Sequence, residues 1–464
     1  MTSNEPTTDV TAVVEGGVVN QLKRMGPAWI AGAIAAGPAT MAALVAAGAS
    51  FQYALLWVVV LSAVFGAMAQ YLAMRLGLLT EDGIVSVTDR YLGSNWGWLL
   101  VFDAVVASAL AQLIIMKTLA DVSATMAGFD PRAWAVLWAL VLAVGLAGGG
   151  YRVLELGAKL LVGAVVVAFV LSVFVVDIDA GAAAAGLIPS NPADLGLGGA
   201  LAAAGILGGA VHITLITLHS YTMRARGWTV EDYDLATGDI VGSFLIAFAA
   251  YSVAIFLVAA AVLQPDQAND ALQAATALGP AVGENAQLLF LLGLWGAAIS
   301  TLGANTLLPA YLLGDKLGWE TDVSDDRFRG AIVVVALLSI AGGFVEGAFL
   351  PLLVIVLAFG LVGTPFALLI VLYLLNDPDA VPEGNSTAAN VGGLLVVGVA
   401  SVLAANFVRE DALAVVDPAA GVFPPVQTFV LLFAILMALA MAGLVGKFVR
   451  DVVAATAEAE PVDS

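Results

Sequence analysis

Twelve long apolar runs dominate this chain and restrict what it can fold into. Lipid offers no water to the backbone, so a segment that crosses it must satisfy its own N–H and C=O groups. A spanning helix does so with roughly 20 mainly apolar residues. Runs of this kind occupy residues 27–50, 53–77, 98–118, 133–149, 153–176, 199–223, 238–263, 286–313, 330–346, 349–375, 391–408 and 426–449; the run 133–149 is short and rich in glycine. Length alone suggests about three soluble domains. The composition overrules that, with 61% apolar and 11% charged residues where a soluble chain carries about a quarter charged. The expected fold class is an all-α polytopic membrane protein of about 12 (11–12) transmembrane helices.

The N-terminal stretch is polar and acidic, with no basic segment before an apolar core, and does not read as a cleavable signal peptide. Cysteine is absent, which removes disulfides and thiolate metal sites. Net charge is −20 (16 basic, 36 acidic), and many acids fall in loops and tails. A basic nucleic-acid surface is therefore not expected. Such an acidic, lysine-poor surface suits a salt-loving cell, where salt screens the repulsion between carboxylates. Lys and Arg near span ends set orientation. With the N-terminus inside, thirteen basic residues (Lys23, Arg24, Arg75, Arg90, Arg152, Lys159, Arg224, Arg226, Lys316, Arg327, Arg329, Lys447 and Arg450) fall on the cytoplasmic side. Three, Lys117, Arg132 and Arg409, fall outside. The chain is expected in the cytoplasmic membrane with both termini in the cytoplasm.

Two runs carry signals for a helix break. The first contains Gly37-Pro38-Ala39-Thr40, and proline cannot donate a helix hydrogen bond; unwinding is expected over 36–40. The sixth reads Gly208-Gly209-Ala210-Val211-His212-Ile213-Thr214, with a break expected over 208–213. Runs one and six open two five-helix halves, and interrupted spans in matching positions point to a transporter site between the repeats. Close helix packing is the competing account of the paired glycines in run six.

Around these breaks the chain resembles the Nramp family of proton-coupled divalent-metal transporters. The resemblance runs from Gly26-Pro27-Ala28 through Phe51 to Trp57, Gln70 to Gly77, Tyr151-Arg152-Val153-Leu154-Glu155, Leu218-His219-Ser220 and Thr364-Pro365-Phe366-Ala367-Leu368. It covers roughly residues 23–408 and implies the LeuT-like fold, a 5+5 inverted repeat with broken spans one and six. It implies a transporter core (23–375) with repeats at about 26–176 and 199–375, preceded by a stretch (1–22) whose polar, acidic composition reads as a disordered cytoplasmic tail. Two peripheral transmembrane helices (391–449) and an acidic cytoplasmic tail (450–464) follow.

The departures bear on chemistry. The family's Asp-Pro-Gly-Asn break becomes Gly37-Pro38-Ala39-Thr40, and its Met-Pro-His-Asn break aligns with His212-Ile213-Thr214-Leu215. The ligating carboxylate, amide and thioether are all replaced. In span three Asp103 matches the family's proton-path aspartate, but Val106 replaces its glutamate, and residues 349–375 hold no glutamine. What remains for a substrate is Gly37, Ala39, Thr40, Gly209, His212 and Thr214, with Thr217 nearby. Thr40 and His212 are the candidate metal ligands, and Asp103, His212 and His219 are the candidate proton path, since histidine titrates near neutral pH. Asp239, Asp315-Lys316 and Glu346 read as interfacial or loop charges, and Ser300-Thr301 with Asn305-Thr306 as either interhelical bonds or a site. The leading expectation is a secondary transporter of a small cation, a divalent metal, with altered selectivity. Transport of a non-metal solute such as an amino acid or amine, and a non-transporting Nramp-like sensor, stay open. No enzyme motif and no cofactor is expected; the partners are the transported ion or solute and the lipid bilayer.

Overall fold

The structure, a computed structural model, describes residues 37–148, 151–196, 198–415 and 425–459. The tail 1–22, the start of the first apolar run and residues 460–464 lie outside the described residues. Every apolar run is represented by a helix, as expected from the demand that backbone groups be satisfied within a spanning segment. Span one is Pro38–Phe51, span two Leu56–Thr80, span three Ser94–Ala127, span four Pro131–Gly148 and span five Tyr151–Ser172. Span six is divided into Gly199–Ala210 and Ile213–Ala225. Span seven runs from Tyr233 to Val262 with π-helical turns over Val241–Phe248, and span eight is Ala286–Leu317. Span nine is Asp326–Leu338, continued by a 3₁₀ segment to Phe344; spans ten, eleven and twelve are Phe349–Leu375, Thr387–Val415 and Pro425–Ala459. A short helix, Ile84–Tyr91, joins spans two and three. Among the described residues ten helical stretches are long and apolar enough to cross a membrane, one of them covering spans one and two together.

The packing pattern repeats itself across the two halves. Span one lies on span seven as span six lies on span two, and span five lies on span eight as span ten lies on span three. Exchanging spans one to five for six to ten maps each pair onto the other, which is the signature of a 5+5 repeat. Spans six and ten form the centre: 94% of the most apolar stretch of span six and 89% of that of span ten are buried, against 28% in span twelve.

The break in span six is narrower than the sequence suggests, and of the one expected in span one only residues 37–40 are described. Gly37 is extended (φ −65°, ψ 175°), and Pro38 opens the described helix of span one, with Met41 N–H donating to the Gly37 carbonyl at 3.2 Å. Proline suits this first helical position because its missing N–H would have no partner there. Residues 38–40 are thus helical, and only Gly37 of the expected 36–40 stretch is described as non-helical. In span six Gly208 and Gly209 stay helical, and the chain leaves the helix at Val211 (φ −117°, ψ 53°) and His212 (φ −90°, ψ 140°). The two glycines instead allow close packing. A Cβ on Gly208 would collide with the Leu357 carbonyl of span ten, and one on Gly209 would lie 2.6 Å from Thr40 Oγ1 of span one.

Candidate functional site

The site is built where span six stops and restarts. Ending a helix at Ala210 leaves carbonyls without intrahelical donors, and restarting at Ile213 leaves N–H groups without acceptors. Two side chains answer this. Thr364 Oγ1 of span ten donates to the Val211 carbonyl at 2.9 Å, and also lies 2.9 Å from the Gly360 carbonyl. His212 caps the second half-helix, its Nδ1 accepting from Thr214 N–H at 3.3 Å and lying 2.9 Å from Thr214 Oγ1. His212 is 5% exposed and its Nε2 has no hydrogen-bond partner. Imidazole with Nδ1 engaged presents Nε2 as its remaining polar edge.

Of the residues singled out from sequence, the structure brings Thr40 against Gly209, three residues before His212, and joins His212 to Thr214. Gly37, Ala39, Thr40 and Thr214 are all buried. Thr217 is spent within its own half-helix, donating to the Ile213 carbonyl at 2.9 Å. Asp103 is fully buried against Gly363 of span ten, and neither carboxylate oxygen has a partner. Asp103 and His219, both of the candidate proton path, are not hydrogen-bonded to each other, and His219 Nδ1 is also without a partner. Among the described residues no three His, Asp or Glu side chains gather as a metal-binding group. In span eight the Asn305 carbonyl accepts from Ser108 Oγ at 3.2 Å, and Thr306 Oγ1 accepts from Gln112 Nε2 at 2.8 Å. Interhelical hydrogen bonding therefore accounts for the Thr306 hydroxyl, Asn305 takes part through its backbone, and Thr301 Oγ1 is buried without a partner.

One group of polar contacts was not legible as a unit. Asp315, read as an interfacial charge, accepts from Tyr221 Oη at 2.7 Å and from Ser86 N–H at 3.1 Å, and Ser86 Oγ also donates to it. Lys316 Nζ lies 2.6 and 2.7 Å from the Asp89 carboxylate oxygens and donates to the Ser94 carbonyl at 2.9 Å. The acid–base pair at the end of span eight was the available signal. Its partners lie more than 90 residues away in sequence, so only the fold unites them. Together they tie the connecting helix 84–91 and the ends of spans six and eight into one closure.

The sequence profile described as natural resistance-associated macrophage protein-like matches residues 28–410. A divalent metal cation transporter, MntH, of Mycobacterium tuberculosis is 27% identical over 394 residues, covering 82% of this chain and 89% of its own. The manganese transporter of Eremococcus coleocola, solved with an aromatic bis-isothiourea compound, has a TM-score of 0.73 at 17% identity and covers 97% of both chains. MHP1, a nucleobase-cation-symport-1 family transporter solved with bromovinylhydantoin, shares the LeuT-like fold at a TM-score of 0.53 and 15% identity, covering 88% of this chain and 96% of its own. With the profile spanning most of the sequence and the same twofold helix pattern in its packing, the chain belongs to the Nramp family.

Proposed function

We propose that this protein is a secondary transporter that carries a divalent metal ion across the cytoplasmic membrane by alternating access, with a selectivity altered from that of its manganese-transporting relatives. The observation that carries this reading is the break at Val211–His212, a buried point at the bundle centre where backbone groups and one imidazole edge lie without helix partners. Irregular backbone at membrane depth is tolerated where it lines a protein cavity, and matching breaks in two repeats mark a transport site. No carboxylate stands at either break among the described residues. A partly hydrated cation would therefore be held by Thr40, Thr214, His212 and backbone carbonyls. Without a charged ligand, preference for Mn²⁺ over Mg²⁺ or Ca²⁺ should fall, because selection among these ions rests on ligand type and geometry. Asp103 and His212 are the groups through which we place proton coupling. The distribution of basic residues supports cytoplasmic termini.

The neutral lining favours one second reading, transport of a zwitterionic solute or amine, which a fold shared with a nucleobase-cation symporter accommodates. Uptake into proteoliposomes at molar salt separates the two, with Mn²⁺, Mg²⁺, Ca²⁺ and amino acids each supplied alone and in competition. Saturable metal uptake with less than tenfold preference for Mn²⁺ over Mg²⁺ is expected. Tight, Mn²⁺-selective uptake would overturn the altered selectivity, and uptake of amino acids with none of any metal would replace the first reading with the second.

A further inference from the structure

Several tightly packed glycines of the bundle meet backbone, and others, such as Gly66 against Phe244 and Gly293 against Val165, meet apolar side chains. A Cβ on Gly48 would meet the Phe256 carbonyl, on Gly296 that of Ala158, and on Gly342 that of Leu113. Small residues do this wherever helices approach closely. Gly360 and Gly363 of span ten differ. A Cβ on Gly360 would collide with Nε2, Cδ2 and Cε1 of His212, and one on Gly363 with Cγ and both oxygens of Asp103. Gly83 and Gly97 also meet carboxylates, those of Asp315 and Asp89, but both of these are held by hydrogen bonds. The Nε2 edge of His212 and the Asp103 carboxylate have no such partners. Thr214 holds the His212 ring at Nδ1 and the Val356 backbone of span ten lies beside it, so the fit against Gly360 sets how close the Nε2 edge comes to span ten, while for the Asp103 carboxylate no polar partner competes with the fit against Gly363.

We infer that Gly360 and Gly363 are positioning residues, forming a ledge on span ten that sets the placement of the His212 ring and the Asp103 carboxyl. Residues three apart share a helix face, with about 4.5 Å of rise between them. The ledge therefore brings an imidazole edge from span six and a carboxyl from span three together, one turn apart on one face. Thr364, the next residue, bonds the Val211 carbonyl, so the same stretch of span ten also holds the break itself. Nδ1 of His212 is engaged by Thr214, and its Nε2 edge faces Gly360. A substrate ligated by Nε2 must then enter beside span ten or wait for the ring to turn. A side chain at position 360 drives the ring off span ten, into the space of the break. This consequence for transport rests on the proposed function; the placement of the ring does not.

The chain has two histidines, so ring-¹⁵N-labelled protein gives two sets of imidazole signals, with those of His219 as an internal reference for folding. Gly360→Ala should move the His212 signals and leave those of His219 in place, whereas Gly363→Ala should leave both. In proteoliposomes Gly360→Ala should raise KM for Mn²⁺ by about tenfold with a smaller change in the maximal rate. In the His212→Ala background, where the ring no longer fills the notch, it should add no further loss, the non-additivity expected of residues in contact. Unmoved His212 signals in a folded Gly360→Ala protein would overturn the inference, as would additive losses. If Gly360→Ala alone fails to fold, recovery of folding in Gly360→Ala/His212→Ala supports the ledge, and failure of the double variant assigns Gly360 to packing. Should no metal be transported at all, the proposed function fails and the spectra still decide the ledge.

Discussion

The Tyr221 hydroxyl donates to Oδ2 of Asp315 at 2.7 Å, joining the end of span six's second half to the end of span eight. The same carboxylate accepts from Ser86, and Lys316 beside it binds Asp89. These contacts tie the ends of spans six and eight to the connecting helix at the end of the bundle expected to face the cytoplasm. Hydrogen bonds to a charged group contribute about 1.5–3 kcal/mol each, enough to move a closed–open equilibrium by an order of magnitude or more. Asp315→Ala should open this end. The absence of cysteine gives a clean readout: with Thr217→Cys on the buried half-helix, labelling by an impermeant maleimide should speed up by about tenfold. An unchanged labelling rate would mean that these contacts do not close the path.

Thr364 bridges span ten to the break by donating to the Val211 carbonyl. Thr364→Val keeps the shape and removes the hydroxyl, leaving a buried acceptor without its donor. That should cost about 1–3 kcal/mol, read as a lower thermal midpoint in detergent. Thr364→Ser, which keeps the hydroxyl, should recover most of the loss. Destabilisation by Thr364→Ser with none in Thr364→Val would point to the methyl group rather than the bond.

His212 carries both a capping bond and the free imidazole edge. His212→Ala should abolish uptake or its pH response while the protein still folds. His212→Gln, which keeps a donor and an acceptor but cannot titrate, should retain part of the uptake and lose its pH dependence. His219→Ala serves as the comparison. Unchanged rates and pH profiles in both His212 variants would show a packing histidine and direct the search for a proton path to Asp103.

At the start of span nine Asp325 accepts from Arg327 N–H at 2.7 Å and pairs with the Arg327 guanidinium at 2.6 Å. The bond from the Arg327 side chain, the largest influence, holds its carboxyl below the ordinary carboxylate range. A depressed acid stabilises the fold above its unfolded pKa of about 3.9, and that contribution is lost as pH falls through its folded value. The pair lies at the surface and is screened by salt. Hydrogen exchange at the first turn of span nine should therefore rise, relative to other helix ends, below about pH 4, more clearly at low salt than at molar salt. Asp325→Asn should remove this pH response.

The spans themselves were legible because each apolar run must satisfy its own backbone in lipid, a local demand that composition reveals. Gly37-Pro38 and the stretch 208–213 likewise announced two breaks. In span six the position of the break did not follow from the residues that announced it. Pro38 starts a helix, and Gly208-Gly209 pack against Leu357 and Thr40 while the chain opens two residues later. A glycine in sequence marks a place where backbone can bend or where something can come close, and only the neighbour decides between the two. The same holds for the charges. Sequence by itself carried the resemblance to the family and the number of apolar runs, and with them the expectation that the usual metal ligands are replaced. Tertiary structure alone decided that Asp315 and Lys316 join the ends of spans six and eight to the connecting helix and that Asp103 turns to Gly363 rather than to His219. It alone also set the His212 edge on Gly360. Each of these is a contact between helices far apart in the chain, fixed by where the two repeats pack and recorded in no local pattern.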